Sequence, residues 1–301
     1  MIQHLLYVPF SGLGLYNGFR GDTWLKNRIK IFKQFVVPSL INQTKQEFIV
    51  WVSWRPEEKT NPLVQEFWQS LDGIRGMRFV FTYGGLCFWD DKLSDEDASK
   101  KLLDNLTQTL PELESYVDHA DFVYMTIQPS DDMYVSNAME EIQSVLPITK
   151  AMGWEKGYIM NLGTKEIAEY NPETLPPFST IIFPKETFLD PQKHYKFTKP
   201  YKSHEYVRWI EPFFTLPGRG FVVGTHGENI STVFDHPYKG KTLTGNERDA
   251  VLTSIRAYFT EPLEIKKRPL RLLARQILNK LPGEKRLRSL YHNLPACLKI
   301  F

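Results

Sequence analysis

Apolar positions in the first half of the chain alternate between two rhythms. Residues 4–9 (HLLYVP), 48–54 (FIVWVSW), 78–83 (RFVFTY) and 122–127 (FVYMTI) are short β-branched and aromatic runs. The second is nearly unbroken, as in a strand covered on both faces. Between these runs the spacing becomes helical. Leu25, Ile29, Phe32 and Val36 share a face until Pro38 intervenes, and 62–71 reads as a helix with Pro62 in its first turn. Ser94, followed three residues later by Asp97, resembles a capping box opening a helix with Leu102, Leu103, Leu106 and Leu110 on its apolar side. Ser136 is placed to cap a helix in which Ala138, Ile142 and Val145 share a face.

Strand then helix, four times over, predicts right-handed βαβ units and a mostly parallel, Rossmann-type α/β sheet. Beyond residue 157 the rhythm breaks. YIMNL, TIIFP and FVVGT alternate with Pro- and Gly-rich loops, so mixed strands are expected there. From Glu264 onward, ten Lys/Arg stand against two Glu, and Leu270, Leu273, Ala274, Ile277 and Leu281 fall on one helical face. The division is therefore a catalytic domain over 1–263 and a basic amphipathic helical tail over 264–301. Such a tail suits an anionic membrane surface or a packed partner face.

The 301 residues carry a net charge of only +2, which conceals about +8 in the tail and −6 in the body. An acidic body without a recognisable motif argues against nucleic acid. Two cysteines, Cys87 and Cys297, make neither a disulfide framework nor a CxxC pair. The first residues read as a strand rather than a signal peptide, and no apolar run is long enough to span a bilayer. The expected location is cytoplasmic, peripheral to the inner face of the membrane if the tail docks there.

Ligands of open parallel sheets bind beyond the carboxyl ends of the strands. Three such ends are polar: Ser11-Gly12, Ser53-Trp54-Arg55 and Ser130-Asp131-Asp132. Adjacent carboxylates are tolerated beside a divalent cation, Mn²⁺ or Mg²⁺, or in a solvated turn. His226, in the Gly-rich loop after FVV, would join a metal site if the fold brought it to Asp131 and Asp132. Arg20, Arg28 and Arg55 are candidates for pairing with a diphosphate. Glu205 and Glu211 are the carboxylates considered for a general base.

Arg28-x3-Phe32, Pro38-Ser39-Leu40, Gln43-Thr44 and Phe48-x2-Trp51 together resemble the opening of the bacterial putative rhamnosyltransferase family, which is similar to GT-A glycosyltransferases. The resemblance runs over about residues 1–240. It aligns Ile127-Gln128-Pro129-Ser130-Asp131-Asp132 with the family's Arg-x-Asp-Ser-Asp-Asp, and His226, Asn229 and Ser231 with a late His-x2-Asn-x-Ser. Pro129 replaces the first Asp of the Asp-x-Asp and Ile127 replaces the Arg, so metal ligation would fall to Asp131 and Asp132. The resemblance implies a hexosyltransferase acting on a nucleotide-sugar donor and a glycan or lipid-linked acceptor, with rhamnose as one candidate sugar. Ser11, Arg28, Arg55 and Ser130 would then face the donor. A nucleotidyltransferase, or a carbohydrate-binding or membrane-docked protein without catalysis, are the competing readings.

Overall fold

All four expected strands form, and they lie side by side. In the computed structural model, which describes residues 1–11, 21–74, 76–84, 94–198, 204–227, 229 and 232–256, β1 (Ile2–Pro9) is flanked in parallel by β2 (Ile49–Ser53) and β4 (Phe122–Ile127). β2 pairs in parallel with β3 (Arg78–Thr82). The sheet continues beyond β4 through antiparallel β9 (Ser179–Pro184), then β6 (Ala151–Gly153), then the edge strand β10 (Phe213–Thr215), giving the order β10-β6-β9-β4-β1-β2-β3.

The side-chain period of two sorts the core into two layers. Leu6 and Val8 of β1 face α1 (Asp22–Ile31), α2 (Val37–Ile41), α3 (Pro62–Leu71) and α5 (Ala138–Ser144). Leu5 and Tyr7 face the side where α4 (Asp95–Val117), α6 (Lys185–Leu189) and α7 (Pro191–Thr198) pack. Both sets are at most 1% exposed, and burying each such side chain stabilises by roughly 1.5–3 kcal/mol.

Two prolines were overridden by packing. Pro38, expected to end the first helix, sits instead in the first turn of α2, after a π-helical turn at Phe32–Val36. The wider turn accommodates a residue that lacks an N–H and crowds the preceding carbonyl. Leu40 beyond it is fully buried, which rewards continuation. Likewise α4 runs through Pro111, because Leu113 and Val117 are both fully buried. Ser94 does cap α4, its hydroxyl accepting from Asp97 N at 3.1 Å. Ser136 does not cap α5. Its backbone N–H donates to Ser254 Oγ at 2.8 Å, and Asn137 occupies the cap position.

The mixed strands of the second half build a second sheet as well. It contains β5 (Met133–Tyr134), β7 (Gly157–Asn161), β8 (Ile167–Tyr170), β11 (Phe221–Thr225) and β12 (Lys239–Thr242), in the order β12-β8-β7-β11-β5. Only β7 and β11 are parallel within it. The last described helix is α8 (Gly245–Ile255). The predicted tail over 264–301, both cysteines, Arg20 and Ser231 lie outside the described residues. Among the described residues, no helix is long and apolar enough to cross a membrane.

Candidate active site at the carboxyl ends of the parallel strands

The chain passes from the large sheet to the small one between Ile127 and Met133, so the turn holding the two aspartates lies at their junction. Gln128 extends the ladder with its N–H to Tyr7 O at 2.8 Å. Its side chain then spans the turn, donating to Pro129 O at 2.8 Å and Asp132 O at 2.9 Å. Tyr134 donates its hydroxyl to Ile127 O at 2.6 Å and closes the turn from below. Ser130 is buried within it.

The facing strand β11 must come very close. A β-carbon on Gly224 would meet Asp131 O at 2.3 Å, so only glycine fits. Gly224 N–H donates to Asp132 Oδ1 at 2.8 Å. Asp132, expected beside Asp131 as a second outward ligand, is thus turned inward and only 6% exposed. Burial, and then the Asp131 charge, push its carboxyl well above the usual carboxylate range.

Asp131 is the hub. His226 Nε2 lies 3.0 Å from its Oδ2, and Asn229 Nδ2 donates to the same oxygen at 3.2 Å. Arg28 of α1, itself only 5% exposed, forms an ion pair with that oxygen through Nη1. Burial alone would raise the Asp131 carboxyl, but the Arg28 guanidinium and the His226 ring hold it well below the usual range. Asn229 also braces the loop, accepting from His226 N at 2.8 Å and donating to Gly224 O at 2.6 Å. The Arg28 guanidinium stands 5.4 Å from the Trp24 ring centroid, within cation–π range. The Asp131 side chain remains 14% exposed, so a ligand can reach it.

Ser11 and Arg55, expected at the ends of β1 and β2, are tied together there. Ser11 donates its hydroxyl to Glu58, Arg55 N–H donates to Glu58 Oε2 at 3.2 Å, and Arg55 Nε donates to Ser11 O at 3.1 Å. Glu58 is only 4% exposed, and burial pushes its carboxyl up. Sequence reasoning missed Glu58. Its one local signal is its place three residues after Arg55, where a carboxylate can meet the backbone N–H opening a helical turn.

The structure separates Glu211 from this cluster. Phe213 is level with Ala151, Ala151 with Ile181, and Ile181 with Met125. Glu211, two residues earlier, therefore lies toward the amino end of β4, opposite the aspartates, and is exposed. Glu205 falls in the 3-10 turn His204–Trp209, whose first residue reaches Leu175 O just ahead of β9. Its side chain lies outside the described residues.

Among the described residues no group of three or more His, Cys, Asp or Glu is placed to hold a metal. The donors present are two, Asp131 Oδ2 and His226 Nε2. They face each other at hydrogen-bond distance, 3.0 Å, and Arg28 and Asn229 share the same Asp131 oxygen, so a cation there would replace the His226 contact beside a guanidinium.

No family model and no curated protein matches the chain. Solved structures similar to it include S. aureus TarS 1-349, at 14% identity and a TM-score of 0.36, covering 74% of this chain and 60% of that one. The glycosyltransferase GlyE of Streptococcus pneumoniae is similar at 11% identity and a TM-score of 0.34, covering 71% and 45%. The inositol-1-phosphate CTP transferase of T. maritima is similar at 9% identity and a TM-score of 0.35, covering 85% and 96%. The chain thus spans three-fifths or less of the TarS and GlyE structures.

Proposed function

We propose that the chain is a GT-A-like glycosyltransferase that moves a hexose from a nucleotide-sugar to a glycan or lipid-linked acceptor. The observation that carries this reading is the convergence of Arg28, His226 and Asn229 on Asp131 where the parallel strands end. Sugar transfer from such a donor expels a diphosphate, and its developing charge needs fixed positive groups and hydrogen-bond donors in a crevice of this kind. Arg28 supplies a charge anchored by Asp131, and Asn229 fixes the loop carrying His226. A divalent cation held by Asp131 and His226 would add neutralising charge at the diphosphate. The Ser11, Arg55 and Glu58 cluster, at the ends of β1 and β2, is the part of the rim we assign to the nucleoside end of the donor. Of the two carboxylates considered for the general base, only Glu205 lies on an element starting at the carboxyl-end side of the sheet, and we assign it that role. Rhamnose is the sugar to test first, and the basic tail over 264–301 is the segment to test for docking at the inner membrane face.

Slow hydrolysis of UDP-, dTDP- and GDP-sugars, with and without Mn²⁺ or Mg²⁺, tests the proposal. A nucleoside diphosphate should be released, and H226A should lower the rate by about 10²-fold, as when a transition-state charge stabiliser is removed. Pyrophosphate release from a nucleoside triphosphate and a sugar phosphate, with no donor hydrolysis, would show nucleotidyl transfer instead.

A further inference from the structure

The turn His204–Trp209 is a 3-10 helix, in which side chains three apart eclipse. Val207 and the following Ile210 occupy one face and are 2% and 1% exposed against the core. Tyr206 and Trp209 occupy the next face and are 47% and 69% exposed. Arg208 turns toward the end of β6 and reaches Glu155 Oε1 at 3.3 Å. Two large rings therefore stand on a solvent face that core packing does not require.

Arg208, from the same turn, also lines a cavity of about 200 Å³ together with Glu155, Lys156, Asn171, Glu173 and Thr174. It is smaller than the roughly 300–1,000 Å³ of pockets for drug-sized ligands, which suits one sugar unit better than a nucleotide. Its two carboxylates are balanced by two cations, so it favours a neutral ligand. Carboxylates accept and ammonium or guanidinium groups donate, the combination that a hydroxyl, itself donor and acceptor, satisfies. A protein partner would favour a contiguous apolar patch, whereas here Arg208 separates the two rings in sequence and lines the cavity.

We propose that Tyr206, Trp209 and this cavity form an oligosaccharide subsite that holds the acceptor glycan behind its reacting end; this rests on the glycosyltransferase reading. The position fits. Gly153 of β6 pairs with Ser179, next to Thr180, which pairs with Thr126 at the end of β4. The cavity therefore opens at the same end of the sheet as Asp131. At about 4.8 Å per strand, β6 lies about 10 Å and β10 about 14 Å from β4. A chain laid along the rim would reach from the rings toward Asp131.

Incorporating 5-fluorotryptophan, and assigning the Trp209 resonance with W209F, gives a local readout by ¹⁹F NMR. Titration with short neutral oligosaccharides of mannose, rhamnose and glucose, without donor, should move that resonance saturably for at least one of them. Y206A, read by the same resonance, and W209A, read by calorimetry, should each weaken binding about tenfold. Both rings are exposed, so both variants should keep the wild-type melting temperature. A flat Trp209 resonance across all three sugars overturns the proposal, as does self-association that W209A abolishes without any sugar response. Sugar binding without donor hydrolysis would keep the subsite and remove the transferase reading, while hydrolysis with a flat resonance would do the reverse.

Discussion

Replacing Asp131 by Asn keeps the shape of the hub and removes the charge that a buried guanidinium faces. The Arg28 and Asp131 side chains are 6% and 14% exposed, so the pair is largely desolvated. Removing one partner of a buried pair costs about 3–5 kcal/mol, since the other charge is left unpaired. Two features place D131N near the lower end. The amide oxygen can still accept from Asn229, and Asp132, relieved of the Asp131 charge, still feels Arg28. A loss of about 3 kcal/mol is expected in urea unfolding with an unchanged slope. Arg28→Met in the D131N background should recover part of it, giving a coupling of about 2 kcal/mol in the double-mutant cycle. The sign with pH follows from the depressed carboxyl. Its contribution is complete above the usual carboxylate range and disappears as pH falls toward the folded value, so the wild type should lose stability in acid that D131N does not have to lose. A D131N loss below about 1 kcal/mol, or single losses that add within about 0.5 kcal/mol, would refute the pair as the core of the site. Donor hydrolysis by D131N is accordingly measured at a temperature where the variant is folded.

Gly224→Ala sets a β-carbon against the backbone of the aspartate turn; overpacking of this kind costs about 1–3 kcal/mol, and displacing Asp131 by about 1 Å should lower donor hydrolysis about 10²-fold. Wild-type activity in that variant would show that the close approach of β11 does not position the site. His4, buried between Thr126 Oγ1 at 2.7 Å and Gln143 Nε2 at 3.0 Å, has its pKa lowered to about 3 by burial and then by Lys45. The unfolded chain binds a proton there from about pH 6.5 downward and the folded one does not. Stability should therefore fall by about 3 kcal/mol from this residue between pH 7 and pH 4, and urea midpoints of H4Q should be correspondingly flatter. An equal pH slope in the two proteins would reject this account of His4.

Much of the fold was legible because its signals are local. The run at 48–54 and the Pro62 helix start record burial and backbone constraint within a few residues, and the observed β2 and α3 follow them closely. The misreadings at Pro38 and Ser136 share a cause. In each, a local preference met packing against segments distant in sequence: the core that buries Leu40, and Ser254 on α8. YIMNL and FVVGT were legible as strands, but their assembly into a second sheet was not, since β5 is two residues long and exists only because β11, some ninety residues later, pairs with it.

The site divides along the same line. That a pair of carboxylates follows the fourth strand, and that strand ends at Ser11 and Arg55 are polar, is written in order along the chain. Which arginine matters is not, because Arg28 and Arg55 look alike in sequence, and only α1 folding across the strand ends brings one of them onto Asp131. The two aspartates are equivalent as letters, yet Gly224 N–H turns one inward while Arg28, His226 and Asn229 gather on the other. Glu211 is set apart from the aspartates by strand register, a relation among β4, β9, β6 and β10 that no short window contains. The sequence by itself determined the elements and where polar groups interrupt them, because capping and burial act over a few residues. Only the tertiary structure decided which of those groups meet, because charges are paired or orphaned by packing between segments about a hundred residues apart.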